Sequence, residues 1–441
     1  MRHLTFLVGV SLLVAGGCSQ PSRQQTLQDP APGPTLRLRI DNADSRGVSI
    51  SAAGHRVVVV WAATTEGQTN IHAAVSNDDG TTFAAPVRVN DVEGDARVNG
   101  EQAPRVAVGR DIVVAWQSRL TGTSQIRVAR STDGGRTFGK AETIHDSALT
   151  GARGWSSLVL DDDGAAHVAW LDGRNAAKAA SASAASGGDH AAGGGHMHSE
   201  PTRQDIFHMT LSADGRRQES LVATNVCFCC KTSVTTGPRG VVYVAWRHIY
   251  PVNLRDMAVA SSTDGGRTFS QPVRVSEDGW QLEGCPEDGP SIAAGPDGTL
   301  HIVWPTIVDK GGLRKGIFYS YSTDGGRTFA SRSRMDTDED VTNASHPQVA
   351  VVDGRVAVVW DESRPAGPRI RLRLIGSRGG SSQGSGAWRP EFAPAITFSE
   401  PGPTDHPAVG GTANGLVGAW NSNTPAGSEI HVRRLAGAPR N

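Results

Sequence analysis

The sequence predicts an all-β chain of four-stranded antiparallel units arranged round an axis, a β-propeller, and three observations carry that expectation. A phrase of the form Ser-x-Asp-x-Gly-x-Thr-Phe stands four times, beginning at Ser76, Ser131, Ser262 and Ser322. An apolar run ending in Trp stands seven times, closing on Trp61, Trp116, Trp170, Trp246, Trp304, Trp360 and Trp420. Gly and Pro are plentiful, at 53 and 24 copies in 441 residues, as a fold with many tight turns requires. Four short strands per period, repeated in this way, make blades. The Trp separations run from 54 to 60 residues, apart from 76 between Trp170 and Trp246. Seven blades is therefore the favoured count, with six as the alternative.

In chain order, Met1-Arg2-His3 and the apolar residues 4–15 read as a secretory signal over residues 1–17, too short for a membrane span. The segment ends in Ala15-Gly16-Gly17-Cys18, which resembles the lipobox of bacterial lipoproteins. That resemblance implies lipid on Cys18, with a membrane as partner through it. Ser19 in the next position then favours the outer membrane, facing the periplasm or the cell surface. Residues 18–34, rich in Gln, Pro and Ser, form a disordered tether.

The propeller occupies residues 35–437. Each period offers a Pro- or Gly-led strand, the Trp strand and a strand ending at the repeated phrase. A short strand such as Pro86-Val-Arg-Val89 completes it. The last period stops at Ile430-His-Val-Arg433 without its fourth strand, and Leu36-Arg-Leu-Arg-Ile40 can supply it and close the ring. Blade three carries a low-complexity, His-rich insert at 175–200.

Within the repeated phrase the Asp carboxylate accepts backbone N–H bonds, Gly supplies positive φ, and Phe packs back on the sheet. The phrase resembles the Asp box of the sialidase (BNR-repeat) superfamily, with Asp78, Asp133, Asp264 and Asp324 as its acids. In that family the box is a structural turn away from the active site. Membership implies three Arg on a substrate carboxylate, a Tyr nucleophile helped by Glu, and an Asp acid/base. Tyr250 is the one tyrosine of four in a face loop; Tyr243, Tyr319 and Tyr321 read as strand residues. A catalytic set of Tyr250, Glu362, Asp172, Arg119, Arg174 and Arg364, with Arg105 beside it, can be written, although nothing in the spacing selects it. Two departures stand against catalysis: the Phe-Arg-Ile-Pro motif of active members is absent, and those members usually have six blades.

The groups that follow the Trp strands, Gln117-Ser-Arg119, Asp172-Gly-Arg174, Arg247-His248 and Asp361-Glu362-Ser-Arg364, suit two roles. They can clamp an anionic ligand, or they can staple adjacent blades by local ion pairs. More distinctive is Cys227-Phe-Cys229-Cys230 on the crossing from blade three to blade four, with Cys285 on the next crossing. His346 and His406 stand at equivalent crossings, each before a Pro, and His196 and His198 lie in the insert. Thiolates and imidazoles at one channel mouth suit copper or zinc. Disulfides are the alternative in an oxidising envelope. Strand alternation sends Cys227 and Cys229 one way and Cys230 the other, so the three meet only if the backbone turns.

With 43 basic and 44 acidic residues, nothing points to nucleic acid. Two functions follow: a ligand- or metal-binding module working through the Cys/His mouth, or an exo-sialidase-type hydrolase acting on sialic acid or a related acidic sugar.

Overall fold

The computed structural model describes residues 32–178, 204–281, 288–308, 314–337, 341–352, 354–377, 388–425 and 427–437. Cys18, Cys285, His196 and His198, with the signal and most of the tether and insert, lie outside the described residues. What is described is strands and turns with almost no helix, the strands lying in six hydrogen-bonded antiparallel sheets.

The first meander shows the repeating plan: Asp44–Ala53, Arg56–Thr65, Gln68–Ser76 and the two-residue strand Val87–Arg88, each paired to the one before. Its Trp61 strand is Val-rich and buried on both faces, the pattern of a strand covered by a sheet on each side. The largest sheet, of eight strands, holds two such meanders joined by the single pair Val226–His248.

The innermost strands are Asp44–Ala53, Arg105–Val108, Arg153–Leu160, Ser233–Gly237, Ser291–Ala294, Asn343–Val352 and Thr404–Thr412. Each packs on the next, and the last returns to the first, so the strands close a ring about an axis. Strand pairing closes the ring as well. Pro32–Leu38 pairs antiparallel with Gly427–Ala436, Leu36 opposite Val432, so the N-terminal segment supplies the outer strand of the C-terminal meander.

All seven repeat tryptophans are at most 1% exposed. Each is wedged between neighbouring meanders, and burying an aromatic of this size contributes roughly 1.5–3 kcal/mol. Three of the four Ser-x-Asp-x-Gly-x-Thr-Phe turns share one hydrogen-bond set, and in the turn at Ser76 the Thr81 N–H bonds the Asp78 carbonyl instead of its carboxylate. In the turn at Ser322, Asp324 accepts from the Ser322 and Thr328 hydroxyls at 2.7 and 2.6 Å and from the Arg327 and Thr328 N–H groups, both at 3.0 Å. Ser322 Oγ in turn accepts from Gly326 N at 2.9 Å. Glycine is required there: φ is +89° at Gly135, and a Cβ would come within 2.5 Å of Val75 on the preceding meander. Phe83, Phe138, Phe269 and Phe329 then pack on four different parts of the core.

Candidate functional site at the axial mouth

Register locates the mouth. The residue before each Trp pairs, in order, with Ser49, Arg105, Ser157, Ser233, Ser291, Gln348 and Ala408. Two places upstream of these stand Gly47, Ala103, Trp155, Lys231, Gly289, His346 and His406. These are seven equivalent positions, one on or just before each inner strand. In four of them the register slips by one residue, a β-bulge, and φ is positive: Gly47 at 67°, Trp155 at 50°, His346 at 52° and His406 at 47°. Left-handed backbone at three non-glycine residues is sterically costly and marks positions held by their surroundings.

Five of the seven, Gly47, Ala103, Lys231, His346 and His406, line one small space together with Glu101 and Arg105. Its volume is about 20 Å³, room for one water or one monatomic ion. His346 and His406 stack face to face with ring centroids 3.8 Å apart. His346 Nδ1–H donates to Asp361 at 2.6 Å, and His406 Nδ1–H donates to Asp405 at 2.8 Å. Asp361 also accepts from the His406 backbone N–H at 2.9 Å. A carboxylate only accepts, so each Nδ1 carries a proton and Nε2 is the ring nitrogen these bonds leave uncommitted.

Acid and base alternate around this pair. Glu101 lies 3.8 Å from His346 Nε2 and 2.7 Å from Lys231, while Lys315 donates to Asp288 at 2.6 Å. Glu101 is only 6% exposed, and its Oε1 has no hydrogen-bond partner among the described residues. Burial alone would lower the His346 pKa. The Asp361 charge and hydrogen bond, with Asp288 and Glu101, outweigh it and hold the imidazole up at about 9. The site thus draws positive charge to a buried point.

The thiols form a second group. Residues 227–230 leave the sheet in a turn, which overrides strand alternation and brings the three sulfurs together. Cys227 Sγ stands 3.3 Å from Cys230 and 4.0 Å from Cys229. Cys227 and Cys230 are free thiols. All three are buried against Trp155, Phe228 and Ile249.

The proposed catalytic side chains do other work here. Asp172 accepts from Trp170 Nε1 at 2.9 Å, Arg153 at 3.1 Å and Arg174 at 2.7 Å. Glu362 accepts from Trp360 Nε1 at 3.1 Å and Arg364 at 2.5 Å. Asp95 makes the same arrangement with Trp116 and Arg127, as does Asp278 with Trp304 and Arg332. Four meanders thus repeat a Trp–carboxylate–Arg unit, of which only Asp172–Arg174 and Glu362–Arg364 come from the groups that follow the Trp strands, and these two bond within their own meander. Arg119 is exposed, and Arg105 bonds the Ser156 and Glu101 carbonyls. Tyr250 lies apart from them, on an open cleft of about 860 Å³ between the third and fourth meanders. Neither Asp172, Glu362, Arg119, Arg174 nor Arg364 lines that cleft. Burial and the charge of Asp256 lift the Tyr250 phenol to about 12, against the opposing charge of Arg274.

Glu101, Asp288, Lys231, Lys315 and Arg255 were not singled out from the sequence. A signal for the first two was present. Ala103-Pro104, Gly289-Pro290, His346-Pro347 and His406-Pro407 place Pro directly after four of the seven axial positions, with Glu101 and Asp288 one or two residues upstream.

No protein-family profile matches the chain, and no curated protein matches it. Among solved structures, a protein of unknown function from Dyadobacter fermentans DSM 18053 covers 93% of this chain and is itself wholly covered, with TM-score 0.50 and 14% identity. Polysaccharide lyase Uly1 covers 89%, with 90% of its own chain matched, TM-score 0.51 and 11% identity. The overlap with the Hadza microbial sialidase Hz136 is looser: TM-score 0.47, 16% identity, 72% of this chain and 63% of that one. At such identities the first two likenesses show a shared fold and leave activity to the site itself.

Proposed function

We propose that the chain is an envelope-anchored, seven-bladed propeller of the sialidase-like, Asp-box type that binds one metal ion at the mouth of its axial channel. His346 and His406 are its imidazole donors and Glu101 its carboxylate. The observation that carries this reading is the stacked histidine pair. Each Nδ1–H is committed to a carboxylate, the outer-shell arrangement that orients a metal-binding imidazole and raises its basicity. The unpartnered Glu101 oxygen and the ion-sized space support it. Imidazole with carboxylate suits zinc or copper, and a space of about 20 Å³ suits an ion far better than a sugar. Cys229 we assign to a disulfide, with Cys285 as the cysteine of the neighbouring crossing that completes it. Peptide mapping without reduction checks that pairing.

Elemental analysis of periplasm-matured protein should find close to one zinc or copper per chain, and calorimetry should show a matching site. The double variant His346→Ala, His406→Ala should weaken binding by more than about 100-fold, since loss of outer-shell partners alone costs 10–100-fold. Metal-free protein, or unchanged affinity in a folded double variant, rejects the reading.

A second reading, hydrolysis of an acidic glycoside, is favoured by one observation: the Tyr250 hydroxyl is buried with no hydrogen-bond partner among the described residues, beside the cleft of about 860 Å³. Turnover of a sialoside that Tyr250→Phe abolishes would establish it. We expect none.

A further inference from the structure

We infer that Cys227 and Cys230 form a redox-active dithiol that exchanges with small aliphatic disulfides and closes to an intramolecular disulfide. The inference is independent of the metal site, and it rests on geometry. The two sulfurs belong to one Cys-x-x-Cys turn and stand 3.3 Å apart. Two thiolates sharing a tetrahedral zinc at about 2.3 Å each would stand about 3.8 Å apart. The observed separation is that of an S–H···S contact one step short of a bond. Arg255, fully buried, donates Nη1–H to Cys227 Sγ at 3.3 Å, and its Nε is held on Asn253 at 2.9 Å. Arg247 lies behind it, with its guanidinium spent on the carbonyls of Arg255, Asp288 and Pro305. No carboxylate is among these contacts, so the positive charge is directed at sulfur.

The two cysteines are thereby unequal. The hydrogen bond from Cys230, aided by Arg255 and Arg247 and opposed by burial, brings the Cys227 thiol down to about 6. Burial and the Cys227 charge push Cys230 well up. A nucleophile at ambient pH beside a protonated resolving thiol is the division of labour that exchange requires. In the first step the Cys227 thiolate attacks one sulfur of a disulfide RSSR, forming a Cys227–S–S–R bond and expelling RS⁻. Cys230 then loses its proton to that thiolate and attacks Cys227 Sγ. The protein disulfide forms and the second RS⁻ leaves, taking from solvent the proton that Cys227 gave up on ionising, so that dithiol and RSSR become protein disulfide and two RSH.

The test uses the whole mature chain equilibrated in glutathione buffers of graded ratio. Samples are acid-quenched, alkylated after denaturation and mapped by tandem mass spectrometry. Cys227 and Cys230 should lose alkylation together with one midpoint. In Cys230→Ser, Cys227 should accumulate a glutathione adduct; in Cys227→Ser, adduct formation at Cys230 should slow by at least ten-fold. Melting curves establish that each variant is folded. Two thiols that remain alkylatable at every ratio overturn the inference, as does oxidation of either one onto Cys229 or another cysteine.

Discussion

A carboxylate on a tight turn shows how one residue serves this fold. Asp324 accepts four bonds from its own turn. Burial alone would raise its pKa, but the bonds from Thr328, Ser322 and Arg327 prevail and hold it at about 2. Asp78, led by its bond from Ser76, is held at about 2 as well. A folded-state pKa below the ordinary 3.8 means that the stabilisation is fully present above that value and is lost as pH falls toward 2. Asp324→Ala should cost about 1–3 kcal/mol at neutral pH, because it leaves backbone donors of the turn without their acceptor. The deficit against the parent chain should shrink as both are acidified from pH 4 to pH 2. Denaturant midpoints measured across that interval check both statements, and a pH-independent deficit would assign the cost to something other than the charged acceptor.

At the scale of the element, the Trp strand and its carboxylate and Arg behave as one unit, with both supplied by the residues just after the Trp at Trp170 and Trp360. The Trp buries its ring, the carboxylate takes the indole N–H, and an Arg neutralises that carboxylate. Glu362 is 2% exposed, so Glu362→Ala strands Trp360 Nε1 and removes a carboxylate that pairs with Arg364 and Arg371. Breaking a buried pair from one side costs about 3–5 kcal/mol. A thermal melt of Glu362→Ala should therefore show severe loss, with Glu362→Gln intermediate because its amide oxygen still accepts from the indole. Native-like melting of Glu362→Ala would free Glu362 for a catalytic role.

The same scale separates what the sequence made legible from what it hid. Trp spacing and the repeated turns announce the strands, since continuous apolar runs and glycine-dependent turns are local properties. The axial cluster is not local. Glu101, Asp288, His346 and Asp361 lie on different strands and crossings and meet only after the ring closes. The convergence of Cys227, Cys229 and Cys230 depended on a backbone turn that alternation alone does not foresee. Arg255 gave no pattern at all, being one Arg among many until its guanidinium reaches Cys227.

The whole molecule depends on one closure. Pro32–Leu38 lies at the outer edge of the C-terminal meander, where Arg433 donates to Thr35 at 2.6 Å across 398 residues of chain. Leu36 and Leu38 join the core shared with Trp61 and Val432. The residues that lead into this strand are those we propose as the tether from a lipidated Cys18, so anchoring and closure meet in one segment yet make different demands on it. Lipid acts on Cys18 alone. Closure needs the backbone pairs and the apolar faces of Leu36 and Leu38, and without them the C-terminal sheet presents an unpaired edge. Cys18→Ser should therefore release the chain from the membrane fraction and leave its melting temperature unchanged. Removal of residues 19–38, with Cys18 kept, should retain the membrane association but lower the melting temperature by several degrees, since each kcal/mol lost shifts a domain of this size by roughly 2–4 °C or less. Membrane retention of Cys18→Ser refutes the anchor, and native melting of the truncated chain refutes closure by the N-terminal strand. The two outcomes are read on separate instruments, so failure of one leaves the other standing.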